Sequence, residues 1–253
     1  MKTNNRHLIT IVASLALGLG AARAQTAYFT NQLGGDWNTA ANWDLDFTGA
    51  NVVPAPATNA NLTLPGAVIV DYSAPMAATS FGSLTVDSGA TLNINAAGFT
   101  QDLGGAGNAP LTLGNGIVNV GSGGVWVATN GGPLTVNLGG DLNVAGSAYF
   151  APITGTAPLT LAVGGSVDVT TGGTLTFADG ANSTILGALS VTDGSLILSN
   201  CQSLTVSPGA AINITNGTVL QQASPSGTIA LGANNNNTTT AVRFRNPVNV
   251  GDF

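Results

Sequence analysis

Between residues 84 and 250 the chain alternates apolar and polar positions in short bursts. One burst returns with small variations: ATLNI, GIVNV, GDLNV, GSVDV, GALSV, AAINI and NPVNV. Its fourth letter is polar, at Asn93, Asn119, Asn143, Asp168, Ser190, Asn213 and Asn249, so the copies are 26, 24, 25, 22, 23 and 36 residues apart. A period in the twenties signals a stacked repeat. A Leu-Thr-Val or Leu-Thr-Leu triplet precedes most copies, at 84–86, 111–113, 134–136, 159–161 and 204–206, and Pro110, Pro133 or Pro158 leads three of these. A third triplet follows at 125–127, 148–150, 175–177, 196–198 and 219–221. The copy around Leu189 is irregular, its first strand shortened to about 184–186.

Successive side chains of a strand point to opposite faces, so in LNI, VNV and VDV the aliphatics share one side and the Asn or Asp takes the other. One coil cannot bury such a face alone; coils stacked at the ~4.8 Å strand spacing join their faces into one core. Gly, Asn, Asp, Ser and Pro between the bursts supply the positive φ angles and fixed bends of tight corners. The predicted fold is all-β, a right-handed parallel β-helix with three short strands per rung, about 22–26 residues per rung and six or seven rungs. An antiparallel β-sandwich is the alternative, since strands every 8 to 12 residues suit it too. The common phase of the three bursts favours the solenoid.

The chain opens with Lys2 and Arg6, an uncharged apolar run at 8–20 and Ala22-Arg23-Ala24. That order describes a secretory signal peptide at 1–24, too short for a membrane span, with Gln25 as the mature N-terminus. No later segment is apolar for long enough to cross a bilayer. Residues 25–72 form an opening unit in which Trp37 and Trp43 stand six positions apart. A solenoid must cover its first rung, so this unit is expected to be a cap. The same two rings are candidates for stacking on sugar. The repeats occupy 73–253, and the sequence stops at Asp252 and Phe253 within a rung's rhythm, so further rungs are expected to follow. An open edge there invites edge-to-edge self-association. The polar stretch 234–240 accounts for the long last step.

Charge narrows the partners. After Ala24 the basic residues are Arg243 and Arg245 alone, the single His7 is lost with the leader, and all eleven acidic residues are Asp. The mature chain thus carries a formal charge near −9. Such a surface repels phosphate backbones, anionic membranes and acidic glycans, which excludes nucleic acid as a partner. The aliphatic triplets give the chain a core and argue against disorder. Cys201 stands alone, so no internal disulfide or cysteine metal cluster forms. It is either a small residue beside the strand at Leu204 or a thiol that pairs with another molecule.

The opening GGDWNTAANW, a Pro-containing spacer and the strand pair ending in SLTVDSGATLNI resemble the start of secreted bacterial β-helix surface proteins. These are the autotransporter-associated β-strand repeat and sorting-signal types, with pectin-lyase-like passengers. The resemblance covers most of the mature chain and implies export and display at the cell surface or outer membrane as an adhesin or envelope protein. The residues up to Phe253 include no β-barrel translocator or basic-tailed sorting helix of the kind the resemblance implies, so the chain is expected to be either a fragment or a released protein.

The β-helix also hosts polysaccharide lyases and hydrolases, so residues must decide. A lyase needs a Lys, Arg or His base and a positive charge or calcium to neutralise the substrate carboxylate. No such side chain occurs between Gln25 and Val242. A hydrolase needs two carboxylates about 5 to 10 Å apart. Asp141, Asp168, Asp179 and Asp193 are scattered; Asp141 and Asp168 come nearest, on neighbouring rungs but in different columns, Asp141 aligning with Ser166 and Asp168 with Asn143. Residues 104–108 resemble half of a glycine-rich calcium repeat, with Ala109 where the Asp ligand belongs. No catalytic residue, metal or cofactor is assigned. The Asn93 to Asn213 column is expected to form a rung-to-rung ladder on a solvent face. Trp126, Tyr149, Thr176, Ile197 and Leu220 are expected to form an exposed apolar stripe, in which Trp126 and Tyr149 contact a cell-surface glycan or protein. The function expected is a structural or adhesin-like surface role, and the alternative is a polysaccharide-degrading enzyme using Asp carboxylates.

Overall fold

The computed structural model describes residues 25–250 except 57, 64–67, 76–79, 88, 104–108, 131–133, 153–158, 179, 186, 207–210, 216–217, 232–240 and 246–248. Residues 109–110, 134–136, 152, 159–162, 180–185 and all beyond 197 are described by backbone alone. The segment 1–24 expected to be a leader, the glycine-rich 104–108, Asp179, the polar stretch 234–240, Asp252 and Phe253 lie outside the described residues.

The chain winds as a parallel β-solenoid with three faces. The second face is a continuous sheet of nine strands, from Gly35–Asp36 and Ile69–Tyr72 through Thr91–Ile94, Ile117–Val120, Asp141–Val144, Ser166–Val169, Ala188–Thr192 and Ala211–Thr215 to Ala241–Arg245. The first face holds Gln25–Phe29, Thr58–Leu62, Leu84–Val86, Ala109–Leu113, Leu134–Leu138, Leu159–Val163 and Gly180–Ile185. The third holds Phe99–Asp102, Val125–Asn130, Ser147–Pro152 and Thr174–Phe177. The long strand Ser195–Val206 runs round a corner, pairing with the third face through Ser195 and with the first through Val206. Cys201 sits in that corner strand, between two register shifts.

Every pairing between named strands is parallel except that of Gln25–Phe29 with Trp43–Leu45, which rules out the antiparallel sandwich. Alternation accounts for the core. Leu92, Ile94, Val118, Val120, Leu142, Val144, Val167, Val169, Leu189 and Val191 are all buried, each contributing about 1.5–3 kcal/mol relative to exposure.

The opening unit belongs to the same winding. Gln25–Phe29 pairs in parallel with Thr58–Leu62, and Gly35–Asp36 with Ile69–Tyr72. The antiparallel strand Trp43–Leu45 and the 3-10 turn Ala40–Asn42 close its outer edge. Trp37 and Trp43 pack edge-on at 4.7 Å and start an aromatic spine through the core. Trp37 meets Phe99 at 4.8 Å, Phe99 meets Trp126 at 6.4 Å, and Trp126 meets Phe150 at 4.9 Å.

Glycine at the first-to-second corner answers to crowding rather than to φ. Gly140, Gly165 and Gly187 follow one another on successive coils, and a Cβ on each would collide with the carbonyl oxygen of the glycine one coil earlier. None of the three has positive φ, whereas Gly34, Gly49, Gly89, Gly98 and Gly172 do.

Two details of the repeat differ from the sequence reading. The strand read as shortened to 184–186 is Gly180–Ile185, paired with Leu159–Val163 through a register shift. The seventh copy, at Asn249, lies on the strand Asn249–Val250 beside Thr218–Leu231. The residue in register with Asn213 is instead Arg243. Register follows the apolar alternation, Val242 and Phe244, and not the identity of the polar letter.

Candidate functional site

The second face carries the polar ladder. Asp71, Asn93, Asn119, Asn143 and Asp168 occupy one register position on successive strands. Asn93 Nδ2 donates to Asp71 Oδ1 at 2.7 Å, Asn119 Nδ2 to Asn93 Oδ1 at 2.8 Å, and Asn143 Nδ2 to Asn119 Oδ1 at 2.8 Å. The expected ladder is present over these rungs, and it begins one rung earlier than the repeated phrase, at Asp71. The column continues to Ser190 and Asn213. Asp168 accepts a bond from Ser166 Oγ at 3.0 Å.

Asp141 pairs with Ser166 and Asn143 with Asp168, as the sequence alignment expected. The two carboxylates therefore sit diagonally, in adjacent columns of adjacent strands, on an open sheet face. Among the described residues no group of three or more His, Cys, Asp or Glu side chains is placed to hold a metal ion. A small cavity lined by Trp37, Pro54, Tyr72, Phe81 and Phe99 has room for about one water molecule.

Three of the four proposed contact residues are core. Trp126 is fully buried, and its Nε1 donates to Gln101 Oε1, also buried, at 2.7 Å. Trp126 pairs with Phe99 and Ala148, so the residue beside Tyr149 is Val127. The stripe was out of phase at this one copy, because a one-residue slip exchanges the two faces of a strand. The outward column is Thr100, Val127, Tyr149, Thr176 and Ile197, in which Tyr149 is 39 % exposed and the other four are half-buried. Leu220 is in register with Ile197 and its side chain is outside those described. Trp37 and Trp43 are likewise buried, and Trp43 Nε1 donates to the Trp37 carbonyl at 2.8 Å. They cannot serve as a sugar platform, because their faces are spent on Phe29, Phe81 and Phe99.

An exposed aromatic pair does exist in the opening unit. Phe47 is 65 % exposed and stacks on Tyr28 with centroids 4.1 Å apart and planes 24° apart. The sequence signal for it is an aromatic residue inside the polar turn Asp46-Phe47-Thr48-Gly49. No helix among the described residues is long and apolar enough to cross a membrane. No family model, curated protein or solved structure matches the chain.

Proposed function

We propose that the chain is an exported β-solenoid displayed at the cell surface, where its role is structural or adhesive rather than catalytic. The observation that carries this reading is the continuity of the second face. Its outward side chains bond to one another from coil to coil instead of converging on a pocket. A surface so organised works by presenting area. The basic start, short apolar run and Ala-Arg-Ala ending support export, and the resemblance of the opening unit to secreted β-helix surface proteins supports display.

Fractionation of the native cells, with N-terminal sequencing of the recovered protein, tests the reading. A product beginning at Gln25 in the envelope or medium is expected. A product retaining Met1 in the cytoplasm would overturn it. Among the described residues, the diagonal pair Asp141 and Asp168 and the in-register pair Asp36 and Asp71 are arrangements of two carboxylates on neighbouring strands that favour a polysaccharide hydrolase. Incubation with neutral and acidic polysaccharides is expected to release no reducing ends; release abolished by Asp141→Asn would replace the adhesive reading with the enzymatic one.

A further inference from the structure

We propose that Phe47 and Tyr28 form a binding platform for a neutral polysaccharide, whose chain runs on from the rings across the paired strands Thr58–Leu62 and Leu84–Val86. The inference deepens the adhesive reading by naming a ligand class and a site. Its starting point is backbone strain at an exposed aromatic. Asp46 and Phe47 are consecutive non-glycine residues with φ of 50° and 56°, a left-handed conformation that L side chains rarely adopt. The result is a large apolar ring held out in water. Strain of this kind at a surface aromatic points to a use for the ring.

The turn that carries Phe47 is fixed from several sides. Leu45 N donates to the Ala50 carbonyl at 2.9 Å and Thr48 Oγ1 to the Leu45 carbonyl at 2.7 Å. Gly49 N donates to Asp44 Oδ1 at 2.9 Å, and Thr26 N to Asp46 Oδ1 at 2.9 Å. Tyr28 covers one side of the Phe47 ring. A platform ordered before the ligand arrives loses little entropy on binding.

The chemistry around the rings selects a neutral, hydroxyl-rich ligand. Tyr28 is in register with Asn61, and Asn61 with Thr85. Thr63 Oγ1 donates to Asn61 Oδ1 at 2.6 Å, which leaves the Asn61 amide as a donor beside the Thr85 hydroxyl. The first-face strands from Gln25–Phe29 to Gly180–Ile185 contain no charged residue. Asp44 and Asp46 flank the ring, offering acceptors to hydroxyls and repelling carboxylated sugars. Tyr28, Asn61 and Thr85 stand on three successive paired strands, at the ~4.8 Å strand spacing, near the length of one unit in an extended glycan.

Affinity electrophoresis of the full chain through gels containing mixed-linkage β-glucan, xylan or galactomannan tests the site, with polygalacturonate as the acidic comparison. Retardation by at least one neutral polymer and none by polygalacturonate is expected. Phe47→Gly should weaken that binding at least about tenfold, equivalent to ~1.4 kcal/mol. Because glycine tolerates the left-handed backbone, the urea midpoint of this variant should not fall by the amount a core loss would cause. Phe47→Trp should retain binding. Absence of retardation by all three neutral polymers, or a Phe47→Gly variant that binds like the parent, would overturn the site. Neither result bears on export, which the fractionation experiment decides separately.

Discussion

Asp168 lies directly across the strand pair from Asn143, yet among the described residues no hydrogen bond joins them, while Asn143 is bonded to Asn119 on its other side. The column from Asp71 to Asp168 has carboxylates at both ends and three amides between, hence four junctions and three amide groups to supply donors. Whichever way the amides turn, one junction brings two acceptors together. Asp168→Asn supplies the fourth donor and keeps an acceptor for Ser166. It should stabilise the fold by about 0.5–1 kcal/mol, read as a higher urea midpoint at unchanged m-value. Asn119→Asp removes a donor from the middle of the same ladder and should shift the midpoint down. Equal shifts of one sign would refute ladder control.

Trp126 and Tyr149 should separate cleanly. Trp126→Ala removes a buried ring at a cost of about 3–5 kcal/mol, and it also strands the buried Gln101 side-chain Oε1 at a further ~1–3 kcal/mol. Tyr149→Ala should move stability by less than about 0.5 kcal/mol. Urea denaturation of both variants measures the contrast; comparable losses would mean that the register at Val125–Asn130 is wrong.

Gly165→Ala tests the corner. Its Cβ would meet the Gly140 and Gly139 carbonyl oxygens, backbone atoms that cannot rotate away. Destabilisation by about 1–3 kcal/mol is expected, the range for overpacking a filled site. Gly172→Ala, with open space around its Cβ but φ of 78°, isolates the cost of backbone strain alone. Thermal melts of the two variants should rank Gly165→Ala as the worse.

Much of the fold was legible because its cause is local. Strict alternation in LNI, VNV and VDV assigns each side chain to a face without knowledge of any partner, and the common period of three bursts assigns the faces to a coil. The Asn column followed from the same logic. The rest was hidden in the corners. Val120 and Trp126, the flanking inward residues of one corner, stand six positions apart, while Val144 and Ala148 stand four apart. A corner of variable length erases phase, so the sequence could not say whether Trp126 or Val127 pointed inward.

The sequence by itself determined the repeat, the three-strand coil, the aliphatic core positions and the absence of basic side chains from Gln25 to Val242, because each depends on residue identity and spacing alone. Only the tertiary structure decided the fate of the aromatics. Trp37 and Trp43 went to the core because Phe29, Phe81 and Phe99 converge on them from separate parts of the chain. Phe47 stayed outside because two left-handed residues turn it away from the core and onto Tyr28. Stacking also decided the glycine column, since the crowding at Gly140 and Gly165 exists only once one coil lies on another.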